Sequence, residues 1–163
     1  MEQLWAPWRM EYIKRSPDDG CVLCEVAVAG DDAAHHILFR GSHTYVVMNL
    51  YPYCNGHLMI APFAHVADYT DLDEPTLLEC RLVTQKALKG LREAFAPDGI
   101  NVGINLGRVA GAGIVDHVHL HVVPRWQGDT NFMPVISDTK VISEHIQSTY
   151  EHLRPYFGSI SLE

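Results

Sequence analysis

Three histidines at alternate positions, His117, His119 and His121, are the residues whose types and spacing most clearly indicate chemistry in this chain. In a β-strand successive side chains point to opposite faces, so the three imidazoles would line one face at intervals of roughly 6.6–6.8 Å. The apolar residues that alternate with them, from Val118 to Val122, would line the other face and enter a core. A packed core does not require three imidazoles in a row, whereas a site that handles phosphate, protons or a metal does.

Two kinds of chemistry use histidines at this spacing. In one, the imidazoles are ligands of a catalytic metal that keeps one coordination position open. In the other, one imidazole is a nucleophile, and its neighbours orient it and bind charge. A catalytic metal would need carboxylates near the strand, and Asp116 would point to the opposite face of a regular strand. A polar sheet face that is simply exposed to solvent is the remaining interpretation.

Two further motifs lie upstream of the histidines, in residues 53–62 and 101–107. The first contains Gly56 and His57 in the pattern Gly-His-x-φ-φ-x-Pro, where φ is apolar, and the second begins with Asn-x-Gly. Together with the His-φ-His-φ-His-φ-φ run, they stand in the order and spacing of the histidine triad family of nucleotide hydrolases and transferases. The chain resembles that family over most of its length. The resemblance implies an α+β fold: a five-stranded antiparallel sheet with one long and one C-terminal helix.

The resemblance also assigns roles to the three histidines. The middle one, His119, matches the nucleophile that attacks an α-phosphorus and forms a nucleotidyl-histidine intermediate. His121 would donate to phosphate oxygens or to the leaving group, and His117 would fix its neighbour's ring or bind a metal. Imidazole suits such a two-step transfer, because it is neutral over much of the range near pH 7 and leaves again readily.

Several other residues match substrate-binding positions of the family. Asn49 corresponds to a position that touches the ribose hydroxyls, Asn105 to an amide that contacts phosphate, and His57 to the histidine of the Gly-His strand. In the turn before the triad many members carry Gln or Ser, whereas this chain has Ala112 and Gly113. Backbone N–H groups such as that of Gly113 would then bind the anion. This departure argues against a simple hydrolase of the type that cleaves dinucleoside polyphosphates asymmetrically.

Residues 124–134 and 4–10 resemble the bacterial branch of the family that includes diadenosine tetraphosphate phosphorylases. In that branch inorganic phosphate resolves the intermediate and gives a nucleoside diphosphate. Arg125 would bind phosphate, and Trp126 would stack on a base or guard the acceptor side. The alternatives are hydrolysis of dinucleoside polyphosphates or of nucleoside phosphoramidates on the same fold, and a non-catalytic nucleotide-binding regulator.

Cys21 and Cys24 form a Cys-x-x-Cys pair. In a cytosolic chain such a pair indicates metal binding or redox chemistry, and the βαβ context expected of a thioredoxin is missing. Some triad-family relatives bind zinc through a pair of this kind and two histidines, which match His65 and His117 here. The resemblance therefore implies a structural, tetrahedral zinc site that ties the N-terminal arm to the sheet.

Length and composition agree with an ordinary globular protein and exclude some partners. At 163 residues we expect one domain over residues 1–163, with an N-terminal arm (about 1–30) and a C-terminal helical extension (about 139–163). The net charge of −8 argues against a broad grip on nucleic acid. The sequence shows no apolar run of membrane-spanning length and no signal peptide at its start, so we expect no membrane partner and a cytoplasmic location. By analogy with the family, a homodimer is expected.

The elements that must position these residues follow from pattern. Short apolar segments between turn signals predict five strands, at 36–40, 45–50, 57–62, 100–106 and 117–123. Helical periodicity predicts a long amphipathic helix from Asp73 to Phe95, with Asp73 as its N-cap, and a second over about 143–156. Short turns between consecutive strands favour antiparallel pairing.

Overall fold

The computed structural model describes residues 20–129 and 142–158 of the protein. Its five strands form one sheet in the order β1-β2-β3-β5-β4, and every neighbouring pair is antiparallel. The strands are β1 (Ile37–Arg40), β2 (Thr44–Met48), β3 (Leu58–Pro62), β4 (Gly99–Ile104) and β5 (Leu120–Arg125). The α-helices of the described residues are α1 (Val22–Val28), α2 (Glu74–Phe95) and α3 (Ile146–Phe157). The predicted α+β class, with a five-stranded antiparallel sheet, is confirmed.

The core lies on both faces of this sheet. On the helix-covered face, α2 and α3 pack against the sheet; its main buried residues are Val46, Met48, Leu58, Ile60, Cys80, Val83, Ala87, Leu91, Leu120, Val122, Tyr150, Leu153 and Phe157. On the opposite face, which we call the α1 face, a smaller cluster contains Leu23, Ile37, Tyr45, Val47 and Ala61. All five residues of β2 are buried, because that strand contributes alternately to the two clusters.

The long helix α2 begins and ends at positions that its sequence specifies. Asp73 caps it by accepting a hydrogen bond from the backbone N–H of Thr76 at 3.0 Å, and Pro75 stands in the first turn, where no intrahelical N–H donor is needed. The helix ends at Phe95, and Ala96 then adopts a left-handed conformation with φ 44°. The predicted helix from Asp73 to Phe95 is confirmed.

The register of the central strands determines where the histidines lie. In the β3–β5 pair, Met59 is opposite His121 and Ile60 is opposite Leu120. Because Leu120 enters the helix-covered core, His121 points to the α1 face. In the described part of the chain α1 covers part of that face, and His121 beside it is only partly buried.

The short helix α1 was not predicted from the sequence. It contains three valines, whose branched side chains lower helix propensity, and no side chain caps its N-terminus at Cys21. Tertiary contacts hold it in place. The Arg40 guanidinium from β1 donates to the carbonyls of Ala27 and Ala29 at its C-terminal end, at 2.5 and 3.2 Å.

Some predicted boundaries differ from those of the structure. The strand predicted over 117–123 is regular from Leu120 to Arg125, and residues 117–119 lead into it without strand pairing. The C-terminal helix runs from Ile146 to Phe157 instead of 143–156. Most of the N-terminal arm and both ends of the C-terminal extension lie outside the described residues. No helix in the described part combines the length and apolar character that crossing a bilayer requires.

A buried carboxylate joins α2 to the turn between β1 and β2. Glu79 accepts hydrogen bonds from the backbone N–H groups of Ser42, His43 and Thr44 and from the Thr44 hydroxyl, at 2.8–3.1 Å. A side chain at Gly41 would collide with the carboxylate. Burial alone would raise the pKa of Glu79, but these hydrogen bonds outweigh burial and lower the pKa below its ordinary value of 4.5.

We predict that Glu79→Gln lowers the free energy of unfolding by about 2–3 kcal/mol at pH 7, because hydrogen bonds to a charged acceptor are lost. Since the folded-state pKa is lowered, the stabilisation is complete above the unfolded-state pKa and is lost as the pH falls through the folded-state value. Urea titrations at pH 7 and at successively lower pH should therefore show the gap between variant and wild type closing below about pH 4.5. Glu93→Gln, at an exposed position of the same helix, is the matched control; a gap that is constant with pH would contradict the assignment.

Candidate active site and metal cluster

The candidate active site is a cavity of about 410 Å³ on the α1 face of the sheet. His119 and His121 line its floor, and residues of α1 and β2 form its walls. His119 is 5% exposed, so only a small part of its ring is accessible. Of the three histidines that are predicted to be catalytic, the structure places His119 and His121 in one cavity. The third, His117, is fully buried and does not line it.

Hydrogen bonding fixes the tautomer of His119. Its Nδ1 lies 2.9 Å from the backbone carbonyl of His117. A carbonyl only accepts, so Nδ1 carries the proton and Nε2 carries a lone pair. Burial lowers the pKa of His119, which favours the neutral ring and outweighs the opposing effect of this hydrogen bond. The ring is therefore held as an uncharged base or nucleophile.

A chain of hydrogen bonds fixes His121 in a different tautomer. The backbone N–H of Tyr53 donates to Nδ1 of His57 at 3.0 Å, so the proton of a neutral His57 is on Nε2. That Nε2 lies 2.9 Å from Nδ1 of His121, which must accept. A neutral His121 then carries its own proton on Nε2. In their neutral forms the two cavity histidines are thus opposite in tautomer, since Nε2 is an acceptor in His119 and a donor in His121.

His57 is held in this position by its surroundings. It is fully buried, and Gly56 before it has a φ of 73°, which glycine adopts without strain. A Cβ added at Gly56 would meet the Phe95 ring of α2 at 3.2 Å. The Gly-His motif therefore serves a turn that brings His57 against His121.

Four residues on the other side of the triad form a cluster that could hold a metal ion. They are Cys21, Cys24, His65 and His117, and their potential ligand atoms all lie within 4.8 Å of one another. The Sγ atoms of Cys21 and Cys24 lie 3.3 and 3.4 Å from Nδ1 of His117, and Cys24 Sγ lies 3.3 Å from Nδ1 of His65. Ligands at ordinary zinc distances in a tetrahedron are separated by about 3.3–3.8 Å. The donor set and its spacing fit a metal ion.

The surroundings of this cluster also suit a cation. Nε2 of His117 lies 2.9 Å from the carbonyl of Pro62, so it donates there and leaves Nδ1 available for a metal. Asp116 places a carboxylate oxygen 3.7 Å from Nε2 of His65. Burial, with the neighbouring Cys21, raises the pKa of the Cys24 thiol to about 11. A thiol with a raised pKa, such as that of Cys24, becomes a thiolate near neutral pH when a bound cation compensates its charge.

The structure places the other predicted substrate-binding residues at different distances from the cavity. Asn49 and Gly113 line it. Asn105 lies beside the cavity wall, since a Cβ added at the wall residue Gly111 would be 3.8 Å from its Nδ2.

Arg125 and Trp126 do not line the cavity. Arg125 forms a two-point ion pair with Asp129, with N–O distances of 2.5 and 2.9 Å, and also donates to Asn101 at 3.1 Å. This pairing raises the pKa of Arg125. Their substrate roles stay predictions.

Sequence reasoning missed the residues that form the apolar wall of the cavity. Val22, Leu23 and Val26 of α1 line it, as do His35 and His36 before β1. A helical spacing of apolar residues at 22, 23 and 26 was the available signal, but the segment is too short for periodicity to stand out. His36 has a left-handed φ of 56°, which no local sequence pattern indicates.

Comparison with known proteins agrees with this geometry. The sequence model of the HIT domain matches residues 31–128. The chain belongs to the histidine triad family. It is 38% identical, over 158 aligned positions, to a Mycobacterium tuberculosis protein named AP-4-A phosphorylase, and the alignment covers 91% of this chain and 80% of that protein.

Solved structures show the same fold. A zinc-bound histidine triad family protein from Mycobacterium smegmatis superposes with a TM-score of 0.67 at 26% identity, covering 85% of this chain and 94% of that one. A hypothetical histidine triad nucleotide-binding protein from Sulfolobus tokodaii superposes with a TM-score of 0.64 at 26% identity, covering 84% of this chain and 89% of that one. The family and the named relative support a nucleotide-processing enzyme.

Proposed function

We propose that the protein cleaves dinucleoside polyphosphates such as diadenosine tetraphosphate at the α-phosphorus, through a nucleotidyl intermediate on His119 that inorganic phosphate resolves. The observation that carries the proposal is the hydrogen bond from Nδ1 of His119 to the His117 carbonyl, which leaves a nucleophilic Nε2 in a buried, neutral ring. The phosphorylase name of the relative that is 38% identical supports the choice of substrate and acceptor.

In the first step the lone pair of His119 Nε2 forms a bond to the α-phosphorus. The bond from that phosphorus to its bridging oxygen breaks, and the electron pair leaves on ATP. In the second step an oxygen of inorganic phosphate attacks the same phosphorus, the P–N bond breaks, and ADP departs. The two steps together convert diadenosine tetraphosphate and phosphate into ATP and ADP.

His121 would stabilise charge during both steps. Its Nε2 proton can be donated as a hydrogen bond to a phosphate oxygen, whereas complete transfer would leave an imidazolate. Full transfer is unnecessary, because the leaving phosphate is stable as an anion. His57 acts as a positioning residue that holds His121 in the required tautomer.

The remaining substrate contacts are proposed for the residues at or beside the cavity. The apolar wall from α1 and β2 would take the base of the transferred nucleotide, and Asn49 would meet its ribose. The Gly113 N–H and the Asn105 amide would bind phosphate oxygens. Arg125 and Trp126 would act on the acceptor side, where Arg125 must share its guanidinium with Asp129.

We further propose that the Cys21, Cys24, His65 and His117 cluster holds a structural zinc ion. The tetrahedral spacing and the two-cysteine, two-histidine donor set support zinc, as does the zinc-bound relative. Zinc would supply a cross-link between α1 and the sheet. The four side chains would fill all four coordination positions of the ion, so His119 is free of the metal and can act as a nucleophile.

We also propose a cytoplasmic homodimer that joins at the β4 edge of the sheet. Among the residues that the structure describes, this strand pairs on one side only, with β5. On one of its faces Ile100 and Ile104 contact the helix-covered core, whereas Val102 between them is 46% exposed. An uncovered apolar edge strand is normally paired or protected. A second copy would cover it and continue the sheet.

The enzyme assignment predicts products that depend on phosphate. Incubation with diadenosine tetraphosphate and inorganic phosphate should give ADP and ATP, and His119→Ala should lower the rate by roughly 10⁴-fold or more, because the nucleophile is lost. Chromatography of the products checks this, with His43→Ala as a control at a histidine in the β1–β2 turn that does not line the cavity. AMP and ATP formed without phosphate would contradict phosphorolysis, and activity retained in His119→Ala would contradict the nucleophile.

The zinc assignment predicts about one zinc ion per purified chain and a large loss of it in Cys24→Ser, since one thiolate ligand is removed. Elemental analysis measures the content. Cobalt substitution gives a second reading, through the visible absorption of a tetrahedral thiolate complex. Cys54→Ser, a cysteine outside the cluster, should keep the wild-type metal content. Equal zinc in Cys24→Ser and wild type would show that the cluster is not the site.

The dimer assignment predicts that Val102→Glu shifts the protein to the monomer, because a charge would be buried without a partner at the interface. Sedimentation equilibrium over a range of concentrations measures the mass. Leu78→Glu replaces a leucine that is 57% exposed on α2, away from the edge, and should leave the dimer intact. A wild-type protein that sediments as a monomer throughout would exclude the dimer, and a dimeric Val102→Glu would exclude this edge.

A further inference from the structure

Helix α1 forms a wall of the cavity, but its own sequence does little to hold it there. It has seven residues, no side chain caps its N-terminus, and its last turn contains no basic residue to balance the helix dipole. A helix this short is marginally stable by itself, and the last carbonyls of a helix have no regular partner within it. The position of the wall residues Val22, Leu23 and Val26 must therefore be set by groups outside α1.

Arg40 of β1 supplies the positive charge that the C-terminal end of α1 lacks. Its guanidinium donates to the carbonyls of Ala27, Ala29 and Val26 at 2.5, 3.2 and 3.4 Å. Asp32 accepts from the Nε of Arg40 at 2.7 Å and thereby orients the guanidinium. A planar cation that contacts three carbonyls at one end of a helix restrains both the position and the orientation of that end.

Tyr45 holds the same helix from the neighbouring strand. It is opposite Arg40 in the β1–β2 pair, so the two side chains project from the same face of the sheet. Tyr45 is fully buried, and its hydroxyl donates to the carbonyl of Leu23 at 2.8 Å. The wall is thus restrained in its middle by Tyr45 and at its C-terminal end by Arg40.

We propose that Arg40 is a positioning residue for the transferred nucleotide, because its contacts with the C-terminal end of α1 set how closely the apolar wall approaches the base. This inference rests on the proposed function and adds a residue that determines affinity without touching the substrate. Neither Arg40 nor Tyr45 lines the cavity, so the effect of each must pass through the wall residues of α1.

The proposed role affects binding and not the chemical step. The base lies away from the reacting phosphorus, so its contacts with the wall are equally strong in the ground state and in the transition state. Loss of such contacts raises KM and leaves kcat unchanged. A displaced wall should therefore weaken the binding of any ligand that carries the transferred nucleotide, including AMP alone.

The test replaces Arg40 and measures binding and turnover separately. Arg40→Met should raise the KM for diadenosine tetraphosphate and the Kd for AMP by about tenfold each, since hydrogen bonds from a charged donor are lost. The kcat should stay within about twofold of the wild-type value. Arg40→Lys keeps the charge but not the planar fork, so its constants should fall between those of Arg40→Met and wild type. Steady-state kinetics and calorimetric titration with AMP give the two measurements.

A loss of stability alone would give a different result. A variant with a smaller folded fraction shows a lower apparent kcat and fewer AMP sites per chain, at unchanged KM and Kd. That result, or constants unchanged in both Arg40 variants, would overturn the positioning role. Arg81→Met, at an exposed arginine of α2, is the matched control and should change neither constant. If Arg40→Met does not fold, Arg40→Lys and Tyr45→Phe, which removes only the hydroxyl bonded to α1, test the same rise in Kd.

Failure of the proposed function is a separate outcome, because AMP binding does not require turnover. A wild-type protein that binds AMP and does not cleave diadenosine tetraphosphate would overturn the proposed function. The role of Arg40 would then be decided by the Kd for AMP alone, since a weaker Kd in Arg40→Met supports it and an equal Kd excludes it.

Discussion

The pairing of β3 with β5 is the constraint on which the rest of the site depends. Three residue pairs set its register, with Met59 opposite His121 in the middle. Just before β3 the chain supplies His57, which fixes His121, and at its other end the Pro62 carbonyl receives His117. A slip of one residue would turn His121 toward the apolar helices α2 and α3. The large core on the helix-covered face therefore determines the geometry of the small site on the α1 face.

Backbone groups that cannot change role set the tautomers of the imidazoles in this site. A backbone carbonyl can only accept, and a backbone N–H can only donate, so the carbonyl of His117 and the N–H of Tyr53 each impose one tautomer. Adjacent histidines on one strand thereby present an acceptor and a donor to the same cavity. This arrangement needs no carboxylate beside the nucleophile, and the described residues that line the cavity include none.

Much of the fold and the position of the candidate site could be predicted from local sequence. The strands and α2 carry strong periodic or capping signals, as at Asp73, and the triad and its Gly-His partner are contiguous motifs. The four residues of the metal cluster could be predicted only from the resemblance to the family, since His65 and His117 are distant in sequence from the cysteines. Their proximity in the structure agrees with that set, whereas the individual substrate roles of Asn105, Arg125 and Trp126 stay predictions.

Features that depend on tertiary contact could not be predicted. Helix α1 has a low intrinsic helix propensity and is stabilised by tertiary contacts. Its role as a cavity wall could therefore not be predicted from the sequence. The sequence does not distinguish residues 117–119 from regular strand, because alternation alone does not show where strand pairing begins. The ion pair of Arg125 could not be predicted either. A basic residue at the end of a strand indicates anion binding equally well whether or not an aspartate, here Asp129, already pairs with it.

The separation of the metal ligands along the chain has a consequence for the order of folding. Cys21 and His117 are 96 residues apart, and Cys24 and His65 are 41 apart. In a small zinc finger the ligands are close in sequence, so metal capture can nucleate the fold. Here an ion that bound to the unfolded chain would have to close loops that span most of the sheet, and would bear the entropic cost of closing them. Once the sheet has formed, those loops are already closed and that cost no longer opposes metal binding. Metal capture would then be a late event that locks α1 onto a completed domain, and a bound ion would mark a chain that has finished folding.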